Sequence, residues 1–144
     1  MSRKRSQSRQ LAVQAVYQWQ MASQDVREIE GQFLEEQDLN SFEIPYFQEL
    51  LTGVPTNLRE LDDLLKPALD RAIESVDPVE RAILCLGVYE LRYKLEVPYR
   101  VVINEAVELA KVFGAEQGHK YVNGVLDKVA KKVRAVEVKV KQGR

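Results

Sequence analysis

The sequence predicts an all-α fold, about seven helices in one compact domain, and three observations carry the prediction. Apolar residues recur three and four positions apart over most of the chain. Helix start and stop signals fall between those stretches, and before residue 135 no segment alternates apolar and polar residues as a strand does. At 144 residues and 45% hydrophobic content, the chain is long enough to bury a core.

The first helix is expected over residues 3–22, with Ala12, Ala15, Val16 and Trp19 on one stripe and Gln10, Gln14 and Tyr17 on another. A second, over 26–37, aligns Val26, Ile29, Phe33 and Leu34. A third runs over 44–52 with Phe47, Leu50 and Leu51, and is expected to stop at Gly53 because Pro55 follows. The fourth begins near Thr56 and presents Leu58, Leu61, Leu64 and Leu65 until Pro67 ends or kinks it, leaving residues 68–75 as a separate turn.

Asp77-Pro78-Val79-Glu80 is the clearest start signal: an N-cap, a proline at the first helical position, and a glutamate placed to reach back as in a capping box. The fifth helix therefore runs from there to about Tyr93 with Ile83, Leu84, Leu86 and Leu91 inward. A sixth, over 102–113, buries Ile103, Ala106, Val107 and Ala110 and ends at Gly114. The seventh, over 117–133, turns Val122, Val125, Leu126 and Val129 inward. The helical domain is thus read as residues 1–134. Residues 135–144 alternate like a strand but have no partner strand, and are read as a mobile basic tail.

The net charge of −1 conceals an uneven distribution. Residues 1–10 carry +4, residues 25–80 carry −11, residues 81–130 carry +1 and residues 131–144 carry +5. Both ends suit a polyanion and the middle repels one, the pattern of a protein that meets nucleic acid on one face. Two solvated, frayed termini are the bland alternative.

Several function classes find no support. No apolar stretch reaches the roughly 20 residues of a membrane span, and no apolar segment follows the basic N-terminus to make a secretory signal, so a cytoplasmic location is the default. One cysteine, Cys85, and one histidine, His119, make neither a disulfide framework nor a Cys/His zinc set. Phosphate loops, dinucleotide fingerprints and nucleophile elbows are absent. Cys85 sits among Ile83, Leu84 and Leu86 and reads as a core residue. No catalytic residue, metal ligand or cofactor site is expected, and the chain is read as a non-enzyme.

Two segments combine what single-stranded RNA requires: cations for phosphates, amides for base edges and rings for stacking. The first is Arg3, Lys4, Arg5 and Arg9 with Gln10, Gln14 and Tyr17. The second is His119, Lys120, Tyr121 and Asn123. Half-buried tyrosines on ordinary helices are the alternative for each.

Long strings in the chain strengthen the first reading. Ala12-Val13-Gln14-Ala15-Val16-Tyr17-Gln18-Trp19-Gln20, Tyr46-Phe47, Tyr89-Glu90-Leu91, Val97 through Lys111, Phe113-Gly114-Ala115-Glu116 and Lys120-Tyr121-Val122-Asn123-Gly124-Val125-Leu126-Asp127-Lys128 resemble the bacterial transcription antitermination factor NusB family over about residues 8–133. The resemblance implies two small helical bundles packed together and a heterodimer with the basic ribosomal protein NusE. It also implies binding to the single-stranded boxA element of nascent ribosomal RNA transcripts, and assembly with RNA polymerase and the other Nus factors.

Carried over by position, it implies RNA contacts at Arg3, Lys4, Arg5, Arg9, Gln14, Tyr17, Gln117, Lys120 and Tyr121, with the two segments brought together. Gln117 stands where some members have an acid, so repulsion of RNA is removed there. Ser6, Gln7 and Ser8 interrupt the family's arginine run, which implies fewer phosphate contacts and modest affinity for RNA alone. Glu74, Glu80 and Arg81 fall on the implied NusE surface, where opposite charge speeds association. Some members self-associate, so monomer and homodimer both stay open. A helical interaction scaffold without specific RNA binding is the competing reading.

Overall fold

The structure, a computed structural model, describes residues 3–142, and the side chains of residues 3–140. Met1, Ser2 and the last two residues of the expected tail, Gly143 and Arg144, lie outside the described residues. The chain forms two compact units, Met1–Asn57 and Leu58–Arg144.

The first unit contains α1 (Arg3–Ala22), α2 (Val26–Glu36) and α3 (Ile44–Thr56), all three in mutual contact. α1 buries Leu11, Ala12, Val13, Ala15 and Val16, while Trp19 is only half-buried. It ends on Ser23, whose φ of 53° places a non-glycine residue in the left-handed region. Asp25 starts α2 by accepting the Arg27 N–H at 2.7 Å. Phe47 of α3 anchors an aromatic cluster, with Phe42 edge-on and Phe33 tilted, each at 5.7 Å between centroids.

α3 does not stop at Gly53. It continues through Pro55 to Thr56, because proline forfeits only its own N–H, and what the last turn of a helix lacks is donors for its carbonyls. The Gly53 carbonyl takes both the backbone N–H and the side-chain amide of Asn57, at 3.1 and 2.9 Å, which closes the helix.

The second unit contains α4 (Leu58–Leu65), α5 (Pro78–Tyr93), α6 (Tyr99–Phe113), α7 (Gly118–Val133) and α8 (Ala135–Gln142), with 3₁₀ turns at Lys66–Ala68 and Ile73–Ser75. Pro67 falls within the first of these turns, as its position predicts. α5 is the central element, buried at every residue from Ala82 to Leu91, and it touches α4, α6 and α7. Asp77 caps it by accepting from Val79 and Glu80 at 3.1 Å. α5 and α7 approach closely at Gly87, where a Cβ would stand 2.7 Å from Leu126 Cδ1. Cys85 is wholly buried and its thiol is pushed up to about 12 by burial, consistent with a packing role.

The alternation of residues 135–141 misleads. Ala135–Gln142 is a helix packed on α7, with Val138 only 3% exposed. The described part of the segment is an ordered element, so the expectation of a mobile tail is corrected there. Its sequence suits a strand only locally. The decisive partners are the Tyr99 N–H, which donates to Glu137 at 2.8 Å, and the carbonyls bound by Arg134, all distant in sequence.

Candidate nucleic-acid interface

In the first unit, α1 carries Arg3 and Lys4 on its exposed first turn. Arg5 is half-buried, its guanidinium 4.1 Å from the centre of the Tyr46 ring and 3.2 Å from the Glu43 carboxylate. Arg9 differs from the expectation of a surface cation: it is 1% exposed and lies 5.5 Å from the same ring. Its guanidinium is spent on packing α1 against α3, so it does not face solvent phosphates. Ser8 is equally structural, accepting the Glu43 N–H at 2.8 Å and donating to the Glu43 carbonyl at 2.7 Å. The interruption of the arginine run thus supplies a tie between two helices. Further along α1, Gln14 is exposed and its amide donates to the Gln10 carbonyl at 3.2 Å, while Tyr17 is half-buried.

In the second unit, α7 begins at Gln117, an exposed residue with a φ of 73°, and carries exposed Lys120 and half-buried Tyr121 on its first turns. The Arg71 guanidinium lies 4.4 Å from the centre of the Tyr121 ring. It is held there by Asp70, whose two carboxylate oxygens accept from Arg71 at 2.6 and 3.2 Å. This pairing is the main cause that lowers the Asp70 pKa. The Tyr121 hydroxyl is buried, and burial raises its pKa; Arg71 opposes the rise and Asp70 adds to it. Beside the ring opens a groove of about 200 Å³ walled by Ala68, Asp70, Lys120, Tyr121, Gly124 and Lys128.

Sequence reasoning named Lys120 and Tyr121 but not Asp70, Arg71 and Lys128, which the structure places beside them. Lys128 was findable, since it follows Tyr121 by seven residues and so returns to the same face of a helix. Asp70 and Arg71 gave no local signal, because only the path of the chain between the two 3₁₀ turns carries them to α7.

The three residues expected to meet a protein partner have different fates. Glu74 is exposed on the Ile73–Ser75 turn. Arg81 is part-buried and donates to Asp62 at 3.4 Å. Glu80 is 7% exposed and is turned toward the start of α7, where a Cβ on Gly118 would stand 2.3 Å from its Oε2. A carboxylate is favoured at a helix N-terminus, yet burial raises the Glu80 pKa, Asp77 adds to the rise and Arg71 opposes it. Glu80 is therefore an internal residue, and the expected capping-box arrangement gives way to this contact.

Among the described residues, no group of three or more His, Cys, Asp and Glu side chains is placed to hold a metal, and no helix is long and apolar enough to cross a membrane.

Fold and surfaces together define an all-helical protein of two compact units, each exposing basic, amide and aromatic side chains on a helix. The chain belongs to the NusB family, whose model matches residues 6–131. It is 58% identical over 137 residues to a transcription antitermination protein NusB of Nitrosococcus oceani, covering 95% of this chain and 92% of that one. A protein of the same name from Shewanella amazonensis is 56% identical over 125 residues, covering 87% and 93%. Among solved structures, T. maritima NusB is 30% identical with a TM-score of 0.80, covering 92% of this chain and 94% of that one. A chain from the crystal structure of antitermination factors NusB and NusE in complex with dsRNA is 28% identical with a TM-score of 0.81, covering 91% and 98%.

Proposed function

We propose that this protein is a transcription antitermination factor that acts by assembly and carries out no catalysis. Membership of the NusB family over residues 6–131 carries the reading. The protein joins a basic ribosomal partner, NusE, and the pair binds the single-stranded boxA element of nascent ribosomal RNA transcripts. It then rides with RNA polymerase and the other Nus factors, which places its work in the cytoplasm.

Exposed side chains support the roles proposed for that work. Arg3 and Lys4 are free of burial and suit phosphates. Gln14 presents an amide at the surface, and Tyr17 and Tyr121 offer rings for stacking. Lys120 lies one residue from Tyr121, so backbone neutralisation and stacking act on adjacent groups. Of the acidic residues, Glu74 is exposed and suits a basic partner, whereas Glu80 supports the fold from inside.

The test is a salt series of binding to a boxA oligonucleotide and a scrambled control, with and without NusE. Preference for boxA, tightened by NusE, is expected. Equal weak binding to both RNAs, unchanged by NusE, overturns the reading.

A further inference from the structure

Lys120, Gly124, Lys128 and Lys132 follow one another along α7 at intervals of four, and residues so spaced form a single row on a helix surface. The three lysines are exposed, and none has an ion-pair partner among the described residues. We infer that this row is a track for the phosphates of an RNA strand that runs on from Tyr121 toward the C-terminal end of α7, beyond the element recognised by sequence. The inference rests on the RNA-binding reading above and extends the site from one end of the helix to the other.

Spacing comes first. Lys120 and Lys128 stand about 12 Å apart along the helix axis and Lys128 and Lys132 about 6 Å apart, on the scale of successive phosphates in an extended strand. Gly124 contributes no side chain to the row, and nothing lies within 4 Å of where its Cβ would be. The groove of about 200 Å³ therefore crosses the row there, between Lys120 and Lys128, with the Tyr121 ring in its wall. A cationic row that starts at an aromatic ring suits a single strand, since the row holds phosphates and the ring stacks a base.

Charge pairing separates this row from its neighbours. Asp70, in the groove wall, is clamped by Arg71 at 2.6 and 3.2 Å, and Asp127, on α7, is paired with Lys131 at 3.4 Å. Each of these carboxylates is matched by a cation outside the row, so the three charges of the row are in surplus. Lys131 and Lys132 sit side by side in the last turn, where cations also complement the helix dipole. Lys120 and Lys128 lie outside that turn, so the dipole does not account for the row. Lysines that meet phosphates fix the path and register of a strand and carry no sequence information, which suits RNA flanking a recognised element.

The experiment uses the full-length protein with NusE and three RNAs: a boxA oligonucleotide, and the same sequence extended by five uridines at its 5′ or its 3′ end. Extension at one end is expected to tighten binding severalfold and to steepen the dependence of log affinity on log salt by about 0.7 for each added phosphate contact. The double variant Lys128→Gln with Lys132→Gln is expected to abolish that gain and the added slope, while preference for boxA over a scrambled sequence is kept. Lys131→Gln, which removes the paired neighbour, is expected to keep both. No gain from either extension, a gain that survives the double variant, or an equal loss in Lys131→Gln overturns the inference. Polyglutamate that competes as well as oligouridylate of the same charge overturns it too, since the row then fits an acidic protein segment. Preference for boxA with no extension effect fails the inference alone; absence of any RNA binding fails the RNA reading as well.

Discussion

The Arg134 guanidinium and the Glu137 carboxylate meet at 2.7 Å, and from that contact each reaches the open end of a different helix. Arg134, 4% exposed at its side chain, donates to the carbonyls of Glu90, Leu91, Lys94 and Val97 at 2.7 to 3.2 Å. Glu137 accepts the first N–H of α6, from Tyr99, at 2.8 Å. Carbonyls at and just beyond the end of α5 and a donor left at the start of α6 are thus tied together by one ion pair.

Removing that pair should be costly. Arg134→Met strips a buried charged donor from four carbonyls and from Glu137, a loss of about 3–5 kcal/mol by analogy with broken buried pairs. Urea denaturation measures it. Deletion of residues 135–144 is expected to lower the midpoint as well, and an unchanged midpoint would show that α8 contributes nothing to the fold.

Cations of the same helix, α1, should behave in opposite ways. Arg3→Ala and Lys4→Ala are expected to reduce the slope of log affinity against log salt by up to about one each, with stability unchanged. Arg9→Ala should destabilise by about 2–4 kcal/mol through lost packing under Tyr46 and barely alter the slope. Paired RNA titrations and thermal melts separate the two classes. A salt slope lowered by Arg9→Ala in a protein of unchanged stability would refute the assignment.

Glu80 gives a pH signature. Its folded pKa is raised, chiefly by burial, so the folded state binds more protons than the unfolded state in the window just above its ordinary value of 4.5. The Glu80 contribution to stability therefore declines as pH rises through that window and recovers as pH falls. Glu80→Gln removes this dependence. Denaturation from pH 4 to 8 should show the variant gaining on the wild type as pH increases, and a gain in the opposite direction would contradict the burial of this group.

Gly87→Ala tests the contact between α5 and α7. The new methyl would sit 2.7 Å from Leu126 Cδ1, and Leu126 is fully buried, so the side chain has no space to swing into. A loss of about 1–3 kcal/mol is expected, as for overpacked cores. The double variant Gly87→Ala with Leu126→Val should lose less than the sum of the singles. Strict additivity in that cycle would place the two residues out of contact.

Much of the fold was legible because its signals are local. Asp77-Pro78 marks the start of α5, Pro67 ends α4, and the spacing of Val122, Val125, Leu126 and Val129 gives the inner face of α7. Lys120 and Tyr121 were legible as neighbours on one helix for the same reason. The passage of α3 through Pro55 was not, since it depends on how Asn57 closes the turn.

Residue types and their periodicity determined by themselves that this chain is helical, where most helices begin, and that its cations gather at its ends. Tertiary structure decided which of those charges are available. Arg9 looks like a surface cation until Tyr46 covers it, Glu80 like a solvated acid until α7 begins over it, and Ala135–Gln142 like a frayed strand until α5 and α6 supply its partners. A local pattern reports the conformation a segment favours. The burial of a charge or the capping of a helix end depends on groups about 35 to 45 residues away along the chain, as in the bonds of Arg134 and Ser8, and only folding brings those groups within reach.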